Sequence, residues 1–110
     1  MARWVRVGAP TDMAVGEARV IPGPGEIAVF RTTDGYFAVD NLCPHRGAPL
    51  SDGRLDGVVV TCPWHGWVFD VRTGALRMNP DCRLGTYPVD QRADGVFVDV
   101  EREAPPKEPR

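Results

Sequence analysis

The chain has 110 residues, 43% of them hydrophobic and 25% charged, with a formal net charge of −2 and a pI near 5.6. That length allows one small domain, and the acidic balance excludes the basic footprint expected of a nucleic-acid binder. No apolar run reaches the ~18 residues of a membrane span, and Met1-Ala2-Arg3-Trp4-Val5-Arg6 lacks the apolar stretch of a signal peptide, so a cytoplasmic protein without a membrane partner is expected.

Glycine and proline, 12 and 11 residues, are too frequent and too evenly spread for long helices, and they punctuate short β-rich runs. Strands are predicted over Trp4–Val7, Ala18–Ile21, Glu26–Arg31 and Tyr36–Asp40. Pro22-Gly23-Pro24-Gly25 is a rigid turn, and Asp34-Gly35 is a hairpin signal because glycine accepts positive φ. Ser51-Asp52-Gly53 and Asp56-Gly57 mark further turns, Val58–Thr61 and Trp67–Asp70 are extended, and Arg72-Thr73-Gly74 turns again. Tyr87–Asp90 and Val96–Val100 close the fold around Asp94-Gly95, with Pro88 placing the first of them at a sheet edge. The last ten residues, 101–110, hold three prolines and almost nothing apolar, which predicts a disordered tail behind a domain of residues 1–100.

Two stretches carry the chemistry: Cys43-Pro44-His45-Arg46-Gly47 and Cys62-Pro63-Trp64-His65-Gly66-Trp67. The chain has only two histidines, each beside a cysteine, in the pattern C-x-H, 16 residues, C-x2-H. Two thiolates and two imidazoles suit either one tetrahedral zinc or a two-iron cluster with two protein ligands per iron. Zinc fingers usually draw both cysteines from one arm and both histidines from the other. Here each arm supplies one of each, so each arm can span a 2Fe–2S cluster with both cysteines on one iron and both histidines on the other. The blander alternative, buried cysteines and satisfied histidines, would account for one such residue better than for four paired ones.

These two stretches, together with Phe69-Asp70 and Thr73-Gly74 in an F-D-x-x-T-G continuation, resemble the cluster-binding region of the Rieske ferredoxin family. The resemblance is strong over about Asp40 to Gly74. It implies an all-β fold, an antiparallel Rieske-type β-sandwich with a cluster-binding subdomain whose loops fall within residues 41–82. It also implies a Rieske 2Fe–2S cluster on Cys43, His45, Cys62 and His65, with the histidines ligating through Nδ1. Respiratory members carry an extra cysteine in each loop, where this chain has Ala48 and Trp64, so it looks like the soluble, lower-potential branch. In such loops Gly47 and Gly66 would let backbone N–H groups approach the bridging sulfides.

One-electron transfer follows as the expected role, with no catalysis by this chain alone. A Rieske oxygenase would also need a mononuclear iron on two histidines and a carboxylate, and both histidines here are taken. No G-x-G-x-x-G follows a strand to hold NAD or flavin. The expected partners are a flavin reductase and the terminal oxygenase of an aromatic-ring dioxygenase system. The alternative within that class is the small subunit of an NAD(P)H-dependent nitrite reductase, with that enzyme's large subunit as its partner. A redox-sensing or zinc-stabilised interaction module is the alternative from a different class. Trp64 and Trp67 can serve as core packing or as a hydrophobic collar limiting water at the cluster. Arg46 reads as a solvated side chain that could pair with a partner's acidic group or with Asp52. Cys82, in a proline-containing third loop expected to cover the cluster, reads as structural.

Overall fold

The run Ile27-Ala28-Val29-Phe30 is buried at every position, so the strand that contains it must be covered on both faces. The computed structural model, which describes residues 3–23, 25–42, 48–63 and 66–101, shows how. Strands β1 (Trp4–Gly8), β2 (Ala18–Pro22), β3 (Glu26–Thr32) and β4 (Gly35–Asp40) follow in sequence order, and a short 3-10 turn covers Leu50–Asp52. Three short strands come next, β5 (Arg54–Asp56), β6 (Val59–Thr61) and β7 (Val68–Asp70). The chain then forms β8 (Ala75–Leu76), β9 (Asn79–Arg83), β10 (Thr86–Tyr87), β11 (Val89–Arg92) and β12 (Gly95–Asp99).

They assemble into three antiparallel sheets: β1-β12-β11, β10-β4-β3-β2 and β5-β6-β7-β8-β9. Strands β3 and β4 form the wall between two cores. Because side chains alternate across a strand, Ala28, Phe30 and Val39 join Val60, Phe69 and Leu76 in one core, while Ile27, Val29 and Ala38 join Val96, Val98 and Val100 in the other. Full burial of each large apolar side chain contributes roughly 1.5–3 kcal/mol. The first core unites the five-stranded sheet with the central sheet, and it is the one on which the candidate site is built.

The all-β, antiparallel expectation holds, and so do the first four strands to within a residue or so. The hairpin between β3 and β4 is two residues tighter than expected, each strand running one residue further. Thr32 pairs with Gly35, leaving Thr33-Asp34 as the loop, and Gly35 takes the positive φ of 127° while already paired.

Two expectations need correction. The closing strand expected over Tyr87–Asp90 is two strands: β10 pairs with β4, and β11 pairs with β12. Pro88 divides them; lacking an N–H, it cannot continue the ladder, and its carbonyl instead accepts from the Asp99 N–H at 3.0 Å. Both pieces lie at sheet edges, as proline there requires. The proline-containing third loop is also a strand, β9, at the edge of its sheet. The expected tail falls almost wholly on residues 102–110, and Pro24 on the expected turn; these lie outside the described residues.

Candidate metal centre

Strand β4 leads directly to the first predicted ligand stretch. Its last residue, Asp40, is held on three sides. The Asp40 N–H donates to the Gly85 carbonyl at 2.9 Å, and the carboxylate accepts from the Gly85 N–H at 2.7 Å and the Tyr87 hydroxyl at 2.5 Å. Residues 43–47, with Cys43, His45, Arg46 and Gly47, lie outside the described residues, but both flanks are defined. Leu42 and Pro49 form an antiparallel bridge, and the Leu50 N–H donates to the Asn41 carbonyl at 2.6 Å. On the far flank Ala48 and Leu50 are fully buried.

The second stretch is framed the same way. Cys62 follows β6, and its N–H donates to the Trp67 carbonyl at 2.7 Å, closing a turn immediately before β7. Within that turn Gly66 takes φ 69°, a left-handed conformation that disfavours side-chain-bearing residues. Trp64 and His65 lie outside the described residues. Trp67 is half-buried against the first core, with its ring centroid 6.4 Å from that of Phe69 at an interplanar angle of 49°. This is the packing role, with aromatic rings meeting at a tilt.

The two frames are joined. Ala48, Leu50 and Cys62 belong to one buried core. After the 3-10 turn the chain passes Gly53, whose missing side chain lets it run against the Thr61 carbonyl, one residue before Cys62. Strand β5 then pairs with β6, Arg54 opposite Thr61. The flanks of both predicted stretches therefore share one packed core, the kind of support a metal site with little geometric slack needs.

The F-D-x-x-T-G continuation has a structural explanation. Phe69 is a core residue, and Asp70 begins the turn that ends at Gly74, whose N–H donates to the Asp70 carbonyl at 2.7 Å. The Asp70 carboxylate accepts from the Arg72 guanidinium at 2.8 and 3.1 Å and from its backbone N–H at 2.8 Å. Hydrogen bonding to that guanidinium holds the Asp70 carboxyl below its ordinary pKa, against a smaller opposing effect of burial.

Of the four expected ligands, Cys62 alone is among the described residues, and its surroundings suit a thiolate bound to iron. Cys62 is 2% exposed among apolar side chains, where a thiolate is favourable only against a cation such as bound iron. Cys82 is half-buried against the same core, consistent with the structural role expected of it. What sequence reasoning missed is the flanking framework: Asp40 with Gly85 and Tyr87, and Gly53 with Thr61, link residues too far apart in sequence to read as pairs. The proline of the third stretch signalled an edge strand as much as a loop.

Residues 3–88 match the Rieske [2Fe-2S] domain, and the chain belongs to that family. Its cofactor is a Rieske-type 2Fe–2S cluster and its role is to carry electrons. Among its relatives is ferredoxin CarAc of Metapseudomonas resinovorans, 37% identical over 102 residues that span 90% of this chain and 95% of the relative. A solved complex of reduced oxygenase and oxidized ferredoxin in carbazole 1,9a-dioxygenase contains a chain similar to this one, with a TM-score of 0.83 and 36% identity over 92% of this chain and 96% of that one. A Mycobacterium tuberculosis protein provisionally described as an NADH-dependent nitrite reductase small subunit shares the fold, with a TM-score of 0.83 at 22% identity over 94% of this chain and 99% of that one. Among the described residues no helix is long and apolar enough to cross a membrane.

Proposed function

We propose that Cys43, His45, Cys62 and His65 hold the cluster, both thiolates on one iron and both imidazoles on the other. We further propose that the chain passes single electrons from a flavin reductase to the terminal oxygenase of an aromatic-ring dioxygenase system in the cytoplasm. The supporting observation is the shared core of Ala48, Leu50 and Cys62, which sets the flanks of both ligand stretches on one frame. The full-length similarity to a carbazole dioxygenase ferredoxin favours this pathway over the nitrite reductase one, where the likeness is of fold alone.

The bound cluster supplies a site that accepts and releases one electron. The chain's own residues do the rest. Burial of Cys62 keeps water from its thiolate, and the bridge between Leu42 and Pro49 fixes the base of the first stretch. On the second turn Pro63 and Gly66 are exposed, and among the described residues the Cβ that Gly66 lacks would meet nothing within 4 Å, so a partner can approach closely there.

The test is anaerobic stopped-flow mixing of the reduced protein with a purified Rieske oxygenase of the carbazole-dioxygenase type, followed by the visible band. Reoxidation by the oxygenase, and prior reduction by a flavin reductase, are expected. A colourless protein holding a single zinc, or reoxidation by a nitrite reductase large subunit but not by the oxygenase, would overturn the reading.

A further inference from the structure

One buried side chain spans the two flanks of the first ligand stretch. Asn41 is 1% exposed. Its Oδ1 accepts from the Ser51 N–H at 2.8 Å, beyond the far end of the stretch, and its Nδ2 donates to Glu26 Oε1 at 2.9 Å, at the start of β3. Its backbone adds two more bonds, donating to the Glu26 carbonyl at 2.9 Å and accepting from the Leu50 N–H at 2.6 Å. One residue thus ties together the strand entering residues 43–47, the 3-10 turn leaving them, and the adjacent strand of the central sheet.

The chemistry selects a carboxamide. It needs an acceptor toward Ser51 and a donor toward a carboxylate, and only this orientation of the amide makes both contacts hydrogen bonds. Aspartate would set a second carboxylate against Glu26. Alanine or leucine would leave the half-buried Ser51 N–H without this partner. Yet the backbone bonds and the bridge between Leu42 and Pro49 already close the base. The side chain therefore adds registration more than closure, which is what groups supporting metal ligands provide.

We propose that Asn41 is a positioning residue for the redox centre. Its carboxamide fixes the two ends of the stretch carrying Cys43 and His45, and so sets the reduction potential and the retention of iron. The inference rests on the ligand assignment above. Asn41 acts through that stretch rather than on the substrate electron itself.

Three variants test it: Asn41→Ala, Asn41→Asp, and Asn41→Asp combined with Glu26→Gln, in which donor and acceptor exchange places. Thr32→Val is the control. Thr32 is a 2% exposed polar residue at the opposite end of the β3–β4 pair, where its Oγ1 holds the hairpin. Reduction potential, the EPR spectrum of the reduced protein and the lifetime of visible colour under chelator are measured in all, beside the melting temperature. The Asn41 single variants should show a shifted potential, altered EPR lines and loss of colour roughly ten- to a hundredfold faster, with the double variant moving back toward wild type. Thr32→Val should lose stability with an unchanged spectrum and potential. If Asn41→Ala does not fold, Asn41→Asp and its rescue carry the test. Asn41 variants with wild-type potential, EPR and colour lifetime, or changed in melting temperature alone as the control is, would overturn the proposal. A wild-type protein without a Rieske EPR spectrum would overturn the ligand assignment, and this inference with it.

Discussion

Gly53 passes so close to the carbonyl oxygen of Thr61 that a methyl group on its α-carbon would overlap it. The backbone angles of Gly53, φ −81° and ψ −174°, are open to any residue, so space and not conformation requires glycine here. The atoms it would meet, in the carbonyls of Thr61 and Leu50, are backbone and cannot swing aside. Gly53→Ala should therefore cost about 1–3 kcal/mol by overpacking and push apart the frames on either side. The denaturation midpoint should fall, and iron and sulfide recovered per chain should fall with it. A variant with wild-type midpoint and full iron would show that the close approach is not needed.

Tyr87 and Asp40, 47 positions apart in sequence, meet through a 2.5 Å hydrogen bond at the end of β4. The ring of Tyr87 is buried in the second core. Tyr87→Phe keeps the ring and removes the donor to a carboxylate, so it should lower stability by about 1.5–3 kcal/mol. The check is a lower denaturant midpoint with an unchanged slope, since the surface exposed on unfolding stays the same. An unchanged midpoint would mean that the Gly85 N–H alone satisfies Asp40.

Cys82 and Cys62 are predicted to behave differently although both touch the first core. Cys82→Ala should keep iron, sulfide and colour, because the proposed ligand set of Cys43, His45, Cys62 and His65 is complete without it. Cys62→Ser should lose most of the cluster and destabilise the chain, because metal binding and folding are coupled. Iron and sulfide analysis decides. Loss of the cluster in a folded Cys82→Ala protein, or its full retention in Cys62→Ser, would show a misassigned ligand.

Asp70 makes stability depend on pH with a definite sign. Its carboxyl has a lower pKa in the folded chain than it would when unfolded, because of the Arg72 guanidinium. Such a group stabilises the fold above the ordinary carboxylate range and ceases to do so as pH falls through its folded value. Wild type should therefore exceed Asp70→Asn in denaturation midpoint at neutral pH, by a small margin for a pair near the surface, and the two should converge in acid. A gap that is constant with pH, or that widens in acid, would contradict this.

Much of the fold was legible because local chemistry decided it. The β-branched runs and Gly- or Asp-bearing turns placed β1 to β4 and β6. Strands β8 and β9 were not legible: the first is Ala75-Leu76 alone, and the second, Asn79-Pro80-Asp81-Cys82-Arg83, lacks the alternation of a half-buried strand. The split at Pro88 depends on which sheet each half joins, a tertiary choice that one proline does not specify. At the site, the proposed ligands Cys43, His45, Cys62 and His65 rest on residue type and spacing alone, because metal chemistry is carried by residue identity. Of these four, Cys62 is among the described residues, and its burial fits the assignment. The support from Asp40, Asn41 and Gly53 was not legible, since their partners are distant in sequence and ordinary in type.

The central claim, one reducible iron held by two imidazoles, is tested most directly by pulsed EPR of the reduced protein at nitrogen frequencies. The measurement is made on wild type, His45→Cys and His65→Cys. Wild type should show two coupled nitrogen nuclei, because the added electron resides on the histidine-bound iron. Each variant that retains its cluster should show one. No strong nitrogen coupling in wild type, or both couplings persisting in the variants, would contradict the assignment of His45 and His65.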